Sequence, residues 1–204
     1  MITRRALLMA SPIVLVAKPA FADDSLDALL ADVAKARKPM KTMKATFIQE
    51  RKLTLLATSV KSTGNLSYVA PDRLRWELDA PDNVIYWIGP EGLSYRTKSS
   101  SATAAPKGAA IANALADVRA LLGGDLSALK DRYVLAGTRR ADDAEITGTA
   151  KDPKASVKSF VLVLAKDLAV PLRARLVEGK SDAIDITFAN AQINVPIDPV
   201  TMKP

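Results

Sequence analysis

The 204 residues include no cysteine and no histidine. Without cysteine there is no disulfide, no thiolate chemistry and no lipidated N-terminal Cys. Without histidine the usual general base, the commonest metal ligand and the partner of a catalytic serine are all missing. An enzyme built on this chain would need a carboxylate pair or a Ser/Lys pair, and the candidates are thin. Asp142, Asp143 and Glu145 beside Arg139 and Arg140 read as solvated charge in a hairpin turn. Gly89-Pro90-Glu91-Gly92 and Gly123-Gly124 lack the Gly-x-x-x-x-Gly-Lys spacing of a phosphate loop. No catalytic residue, metal site or cofactor is therefore expected.

Long hydrophobic runs are also missing. The longest, Ala6 to Ala17, is shorter than the roughly 20 residues a spanning helix needs, and Pro12 interrupts it. Arg4 and Arg5 precede it, and Ala20-Phe21-Ala22 followed by Asp23-Asp24 completes the pattern of a secretory signal peptide cut after Ala22. The general secretory route is favoured over twin-arginine export, which Arg4-Arg5 would also permit. Loss of Arg4, Arg5 and Lys18 takes the basic residues from 29 to 26 against 22 acids, a net charge of +4 instead of +7. That excess is mild and diffuse, so no nucleic-acid partner is expected. Residues 23–204 are long enough for one domain with a sizeable core, expected to be a periplasmic monomer.

What is present is a set of short alternating segments. From Arg73 to Leu78, Leu74, Trp76 and Leu78 share one face of a strand and Arg73, Arg75 and Glu77 the other. Ala70-Pro71-Asp72 and Ala80-Pro81-Asp82-Asn83 are turn signals on either side. Val84 to Ile88 is apolar on both faces. Strands are predicted also at Thr46 to Leu56, Val60 to Val69, Tyr133 to Thr138, Ala144 to Ala150, Ser156 to Lys166, Leu172 to Glu178 and Ala183 to Phe188. Gly64 falls inside one of them and signals a bulge, a bend or a close backbone approach.

Three helices are predicted. Ser25 can cap one carrying Leu26, Leu29, Leu30 and Val33 at helical spacing and stopped by Pro39. After a loop from Arg96 to Lys107, Ala109 to Leu122 places Ile111, Leu115, Val118 and Leu122 on one helical face. Gly123-Gly124 ends it, and Asp125 can cap a third from Leu126 to Asp131. By composition the second helix reads first as a packed crossover, with a lid as the alternative.

The order and spacing of Phe47-Ile48-Gln49, Gly64-Asn65-Leu66, Pro71 to Glu77, Pro81, and Gly92 followed by Tyr95 resemble the landmarks of the periplasmic outer-membrane lipoprotein carriers, the LolA family. The resemblance implies a mainly β fold with helices (α+β): a curved antiparallel sheet forming an unclosed β-barrel, with short helices as a lid over an apolar cavity. It implies that Phe47, Leu66, Leu74, Trp76, Leu78, Trp87, Phe160 and Leu162 line the cavity. Ile111, Leu115, Val118 and Leu122 would face it from the lid. It further implies a non-enzymatic carrier that takes acylated cargo from an inner-membrane exporter to an outer-membrane acceptor. A dedicated lipid or glycolipid carrier for an exporter and a lipid-sensing regulatory module of the same fold are the alternatives. Two features depart from the family pattern. The residue before Pro71 is Ala70, where family members have an arginine that holds the lid, so a looser lid or a substitute donor such as Arg73 is expected. The chain beyond Asn194 also shows no obvious final strand.

Overall fold

The computed structural model describes residues 22–53, 57–104, 117–123, 125–179 and 182–204. Helix α1 spans Ala22–Arg37. It starts three residues before the Ser25 cap predicted from sequence. Six strands follow: β1 (Thr42–Leu53), β2 (Thr58–Val69), β3 (Arg73–Leu78), β4 (Val84–Gly89), β5 (Gly92–Arg96) and β6 (Ser101–Ala104). Next come the described part of helix α2, residues 117–122, and a 3-10 helix at Leu126–Asp131. Asp125 caps the latter by accepting from the Ser127 N–H, as its sequence predicts. The remaining strands are β7 (Tyr133–Arg139), β8 (Asp143–Ala150), β9 (Val157–Ala165), β10 (Pro171–Glu178) and β11 (Asp182–Ile193). A second 3-10 helix, Pro199–Met202, closes the chain.

All eleven strands form one antiparallel sheet in the order β6-β5-β4-β3-β2-β1-β11-β10-β9-β8-β7. Every neighbour is consecutive in sequence except β1 and β11, which join the two halves at the centre. The sheet stays open, with β6 and β7 as its two edges. The described residues between those edge strands include part of α2 and the first 3-10 helix. Two sequence expectations are corrected here. Ser101–Ala104, placed in a loop, pairs with Leu93 to Arg96 as an edge strand. β11 runs on to Ile193, five residues past Phe188, because it continues to pair with β1 at Met43 and Lys44.

Alternation assigns the faces. Met43, Ala45 and Phe47 of β1, Leu66 and Tyr68 of β2, Leu74 and Trp76 of β3, and Ile186 and Phe188 of β11 are buried together on the concave face. Gly64 marks no bulge, since β1 and β2 stay in register from Thr42↔Val69 to Leu53↔Thr58. It marks a close approach instead. A Cβ there would stand 2.6 Å from Phe47 Cζ and 2.0 Å from the Glu77 carbonyl oxygen. The bare backbone lets the Phe47 ring lie across β2 and stack on Trp76 of β3, with centroids 3.9 Å apart. Phe188 meets both rings edge-on, at 6.4 and 6.1 Å. On the far half of the sheet, Phe160 lies over Gly148 in the same way and takes Tyr133 edge-on at 5.1 Å. There α1 covers the concave face, its Leu26 and Leu29 packing over Gly137 of β7. Burial of this continuous apolar cluster, at about 25 cal/mol per Å², is what holds the curved sheet against its helices.

Candidate functional site

One part of the concave face is not filled by side chains. A cavity of about 300 Å³ opens between the two halves of the sheet. Trp76, Tyr86, Ile88 and Leu93, from β3 to β5, line one wall. Leu176 of β10 and Ile184 and Ile186 of β11 line the opposite one, with Val157 of β9. Val118 of α2 reaches in from above. Among the described lining residues the amide and charged side chains are Gln49 and Glu178. Such a space, apolar with a few polar groups, suits a hydrocarbon ligand better than a polar one.

The described part of helix α2 is held over this space by polar contacts at its first and last residues. Arg37, at the C-terminus of α1, donates through Nη1 to the Ala120 carbonyl at 3.0 Å and through Nη2 to the Leu121 carbonyl at 2.9 Å. Carbonyls in a last helical turn have no partner within the helix, so a guanidinium there satisfies them and opposes the negative end of the dipole. Arg37 is only 5% exposed; burial pulls its pKa down to about 10, partly offset by Tyr68. Tyr68 Oη donates to the Pro71 carbonyl at 2.7 Å and lies 3.2 Å from the Gly123 carbonyl, and its pKa is raised by burial, against the pull of Arg37. The buried Asp117 carboxylate accepts from Tyr133 Oη at 2.6 Å and from the Arg132 guanidinium. Burial, and then that hydrogen bond to Asp117, raise the Tyr133 pKa.

Arg37, rather than Arg73, is the arginine that donates to carbonyls of α2. Arg73 is committed elsewhere, 2.6 Å from Glu91 on the solvent side.

Of the predicted cavity residues, Trp76 lines the space and Phe47 stacks directly behind it. Leu66, Leu74, Phe160 and Leu162 belong to the solid core, each at most 2% exposed. Leu78 packs against that core at its margin. Trp87 is on the opposite face, because its register partner is Arg75 rather than Trp76. There its ring lies 5.1 Å from the Arg96 guanidinium and 6.0 Å from that of Arg75, and its Nε1–H donates to the Thr201 carbonyl at 2.8 Å. The short C-terminal segment thus adds no strand; it folds as a 3-10 helix over the convex side of Trp87. Of the predicted lid residues, Val118 lines the cavity and Leu122 is buried. Ile111 and Leu115 lie outside the described residues.

The sequence reading missed Tyr86, Ile88 and Leu93 as one wall and Ile184 and Ile186 as the other. The alternation of Ile184, Ile186 and Phe188 identifies their shared face, but no local pattern distinguishes a face that lines a void from one that packs solidly. A second hollow of about 390 Å³ lies between Trp87, Ser94 and the C-terminal residues Met202 and Lys203, with the Arg73 and Glu91 pair at its rim. It is larger but more polar and on the convex side, so the smaller, more apolar space is the candidate site.

An open sheet wrapped round an apolar cavity, with a helix across it, has the form of a binding site for a hydrophobic ligand. Residues 38–203 match the family model described as outer membrane lipoprotein carrier protein LolA, and the chain belongs to that family. Family membership together with the cavity supports a lipid- or lipoprotein-binding role at an exported or periplasmic location. No curated protein matches the chain. Among solved structures it is similar to the MucA/MucB complex of Pseudomonas aeruginosa, with 15% identity, 88% of this chain and 61% of that one covered, and a TM-score of 0.53. It is also similar to an uncharacterized conserved protein from Thermus thermophilus, with 11% identity, coverage of 88% and 93%, and a TM-score of 0.52. A LolA superfamily protein from Nitrosomonas europaea matches at 7% identity, with coverage of 87% and 97% and a TM-score of 0.47. The chain spans about three-fifths of the MucB-containing chain it matches. At these identities the two likenesses with TM-scores above 0.5 establish the fold alone.

Proposed function

We propose that this protein is a non-enzymatic periplasmic carrier. It shields the acyl chains of a lipoprotein or another lipidated molecule in the concave cavity and shuttles them from the inner to the outer membrane. The observation that carries this reading is the apolar cavity beneath α2. An acyl chain in water is unfavourable by about 0.8 kcal/mol per CH₂, so an acylated molecule needs a dry container to cross an aqueous compartment. The container must also release its load. A helix held by hydrogen bonds that re-form when the cavity empties competes with cargo, lowers net affinity and permits transfer to a tighter acceptor. Delivery would come from an inner-membrane exporter and removal by an outer-membrane acceptor. Export would remove residues 1–22 by cleavage after Ala22, leaving the mature chain to start at the first turns of α1.

The test compares two substitutions of the same kind on opposite faces. Leu93→Glu places a carboxylate in the cavity wall at a partly buried position, where an ionised group beside an acyl chain costs several kcal/mol or is forced to hold its proton. Ile48→Glu places one on the convex face, where Ile48 is already 55% exposed. Displacement of a fluorescent acyl probe, after circular dichroism shows both variants folded, is expected to fail in Leu93→Glu and persist in Ile48→Glu. Equal probe binding by both variants and the parent protein would remove the cavity from the account.

A further inference from the structure

At one end of the sheet the charge does not cancel. Between Asp32 and Glu50 the sequence holds Lys35, Arg37, Lys38, Lys41 and Lys44 and no acidic residue. This stretch is the last turn of α1, the turn that leaves it and the start of β1. Arg37 points inward onto the α2 carbonyls, whereas Lys35, Lys38, Lys41 and Lys44 are all exposed. None of the four makes an ion pair among the described residues. Lys52 and Lys130, by contrast, hold Asp185 and Asp27.

Backbone pairing keeps the four lysines together. The Lys38 N–H still bonds back to the Ala34 carbonyl, so Lys35 and Lys38 stand one turn apart on one side of the helix end. The Lys41 carbonyl accepts from the Ala70 N–H at 2.9 Å, and its own N–H donates to Asn194 Oδ1 at 2.8 Å. Lys44 lies between Ser67 of β2 and Gln192 of β11. From Lys38 to Lys44 the chain cannot reach beyond about 20 Å, so these side chains share one end of the molecule. The segments that meet β1 here bring two carboxylates, Asp72 and Asp198, and that of Asp198 accepts from the Val200 N–H. Ile193, opposite Met43 in the pairing and 41% exposed, adds apolar surface to the same end.

We propose that this end is a docking surface for a bilayer that carries anionic phospholipid. Unpaired ammonium groups on flexible stems suit lipid phosphates, which move laterally to meet them. They suit a folded acidic partner less well, because interfaces between proteins are depleted in lysine and call for fixed geometry. The attraction acts within a Debye length of the surface and is weakened by salt. It does not depend on what fills the cavity. Docking nevertheless concerns the cavity, because it brings the Arg37 contacts with Ala120 and Leu121 of α2 beside the bilayer.

The test is co-sedimentation of the protein, purified after export, with vesicles of phosphatidylcholine alone and of phosphatidylcholine with about 30% phosphatidylglycerol. The anionic vesicles are expected to bind at least about tenfold more tightly at low salt, with the difference lost as salt rises to about 0.5 M. Each lysine at an anionic surface is worth about fivefold in affinity, so Lys38→Gln and Lys41→Gln should each cost about that much and the double variant about twenty-fold. Lys154→Gln removes an exposed lysine from the turn between β8 and β9 and should cost less than about twofold. Acyl-probe binding should be unchanged in all of these variants, with circular dichroism showing them folded, so a failed surface and a failed cavity give different results. Equal binding to the two kinds of vesicle overturns the docking surface. Equal losses from Lys154→Gln and Lys41→Gln also overturn it, by reducing the effect to net charge. Retention on immobilised polyglutamate without vesicle binding would assign the lysines to an acidic protein and overturn the bilayer as partner.

Discussion

The two tryptophans are eleven residues apart on adjacent strands, and they do opposite things. Trp76 is on the concave face, stacked on Phe47 and forming part of the cavity wall. Trp87 is on the convex face between two guanidinium groups, capped by the Thr201 carbonyl. Both are nearly fully buried, at 8% and 6% exposure, so burial does not separate them. Register does. Trp76 pairs with Tyr86 and Arg75 with Trp87, which puts one indole toward the ligand space and the other toward the C-terminal segment. In an open curved sheet the side chain's face, not its apolarity, decides whether it can serve binding.

The contrast can be broken most severely at Trp76. Trp76→Ala removes the stack on Phe47 and one cavity wall, and should cost about 3–5 kcal/mol in urea unfolding and abolish acyl-probe binding. Trp87→Phe keeps a ring in place and loses the hydrogen bond to Thr201, so it should cost about 1 kcal/mol and leave probe binding intact.

A smaller effect is expected where the concave face is covered. Arg37→Met leaves the Ala120 and Leu121 carbonyls without their donor, at a cost of about 1–3 kcal/mol. Hydrogen exchange should accelerate in residues 117–123 well before the central strands open, whereas the convex side around Trp87 should be unaffected.

The Tyr133–Asp117 contact on α2 gives a pH dependence. Tyr133 must be protonated to donate to Asp117, and its pKa is raised above the ordinary value of 10.0. The folded state therefore holds that proton more tightly than the unfolded chain. The resulting stability is complete below about pH 10 and is lost as the pH climbs toward the folded-state pKa. Arg37, pulled down to about 10, acts in the opposite sense, because above that pH the folded state binds fewer protons than the unfolded one. Comparing Tyr133→Phe with the parent protein isolates the tyrosine. The variant should be less stable at neutral pH by about 1 kcal/mol, with the difference shrinking as the pH rises above 10. A constant difference across that range would show that the hydroxyl contributes nothing through its proton.

The smallest effect belongs to the convex face. Arg96→Ala removes an exposed cation–π contact on Trp87 and should cost less than about 1 kcal/mol, with no change in ligand binding.

Strand β3 was legible to the residue, because Arg73, Arg75 and Glu77 could not be buried and so fixed where Leu74 and Trp76 point. Strand β4 was legible as a strand but not as a pair of faces. Val84 to Ile88 is apolar throughout, and only pairing with β3 shows that Tyr86 and Ile88 face inward and Trp87 outward. The short β6 was lost in a Ser/Thr/Ala stretch whose composition is that of a loop; its strand character comes from pairing with β5 alone. The pinning of α2 by Arg37 was not legible because the two are more than eighty residues apart, and a basic residue in a last helical turn is ordinarily read as a dipole partner for its own helix. The cavity depends on the distance between two walls brought together by sheet curvature, which no local period records.

The most direct test uses the two tryptophans as reporters. Single-tryptophan proteins made by Trp87→Phe and by Trp76→Phe would each be titrated with a monoglyceride brominated along its acyl chain, and indole fluorescence followed for contact quenching. An acyl chain in the concave cavity should quench the protein that retains Trp76 and leave the one that retains Trp87 bright. Quenching of Trp87 alone, or of both to the same extent, would contradict the assignment of the concave face as the binding site.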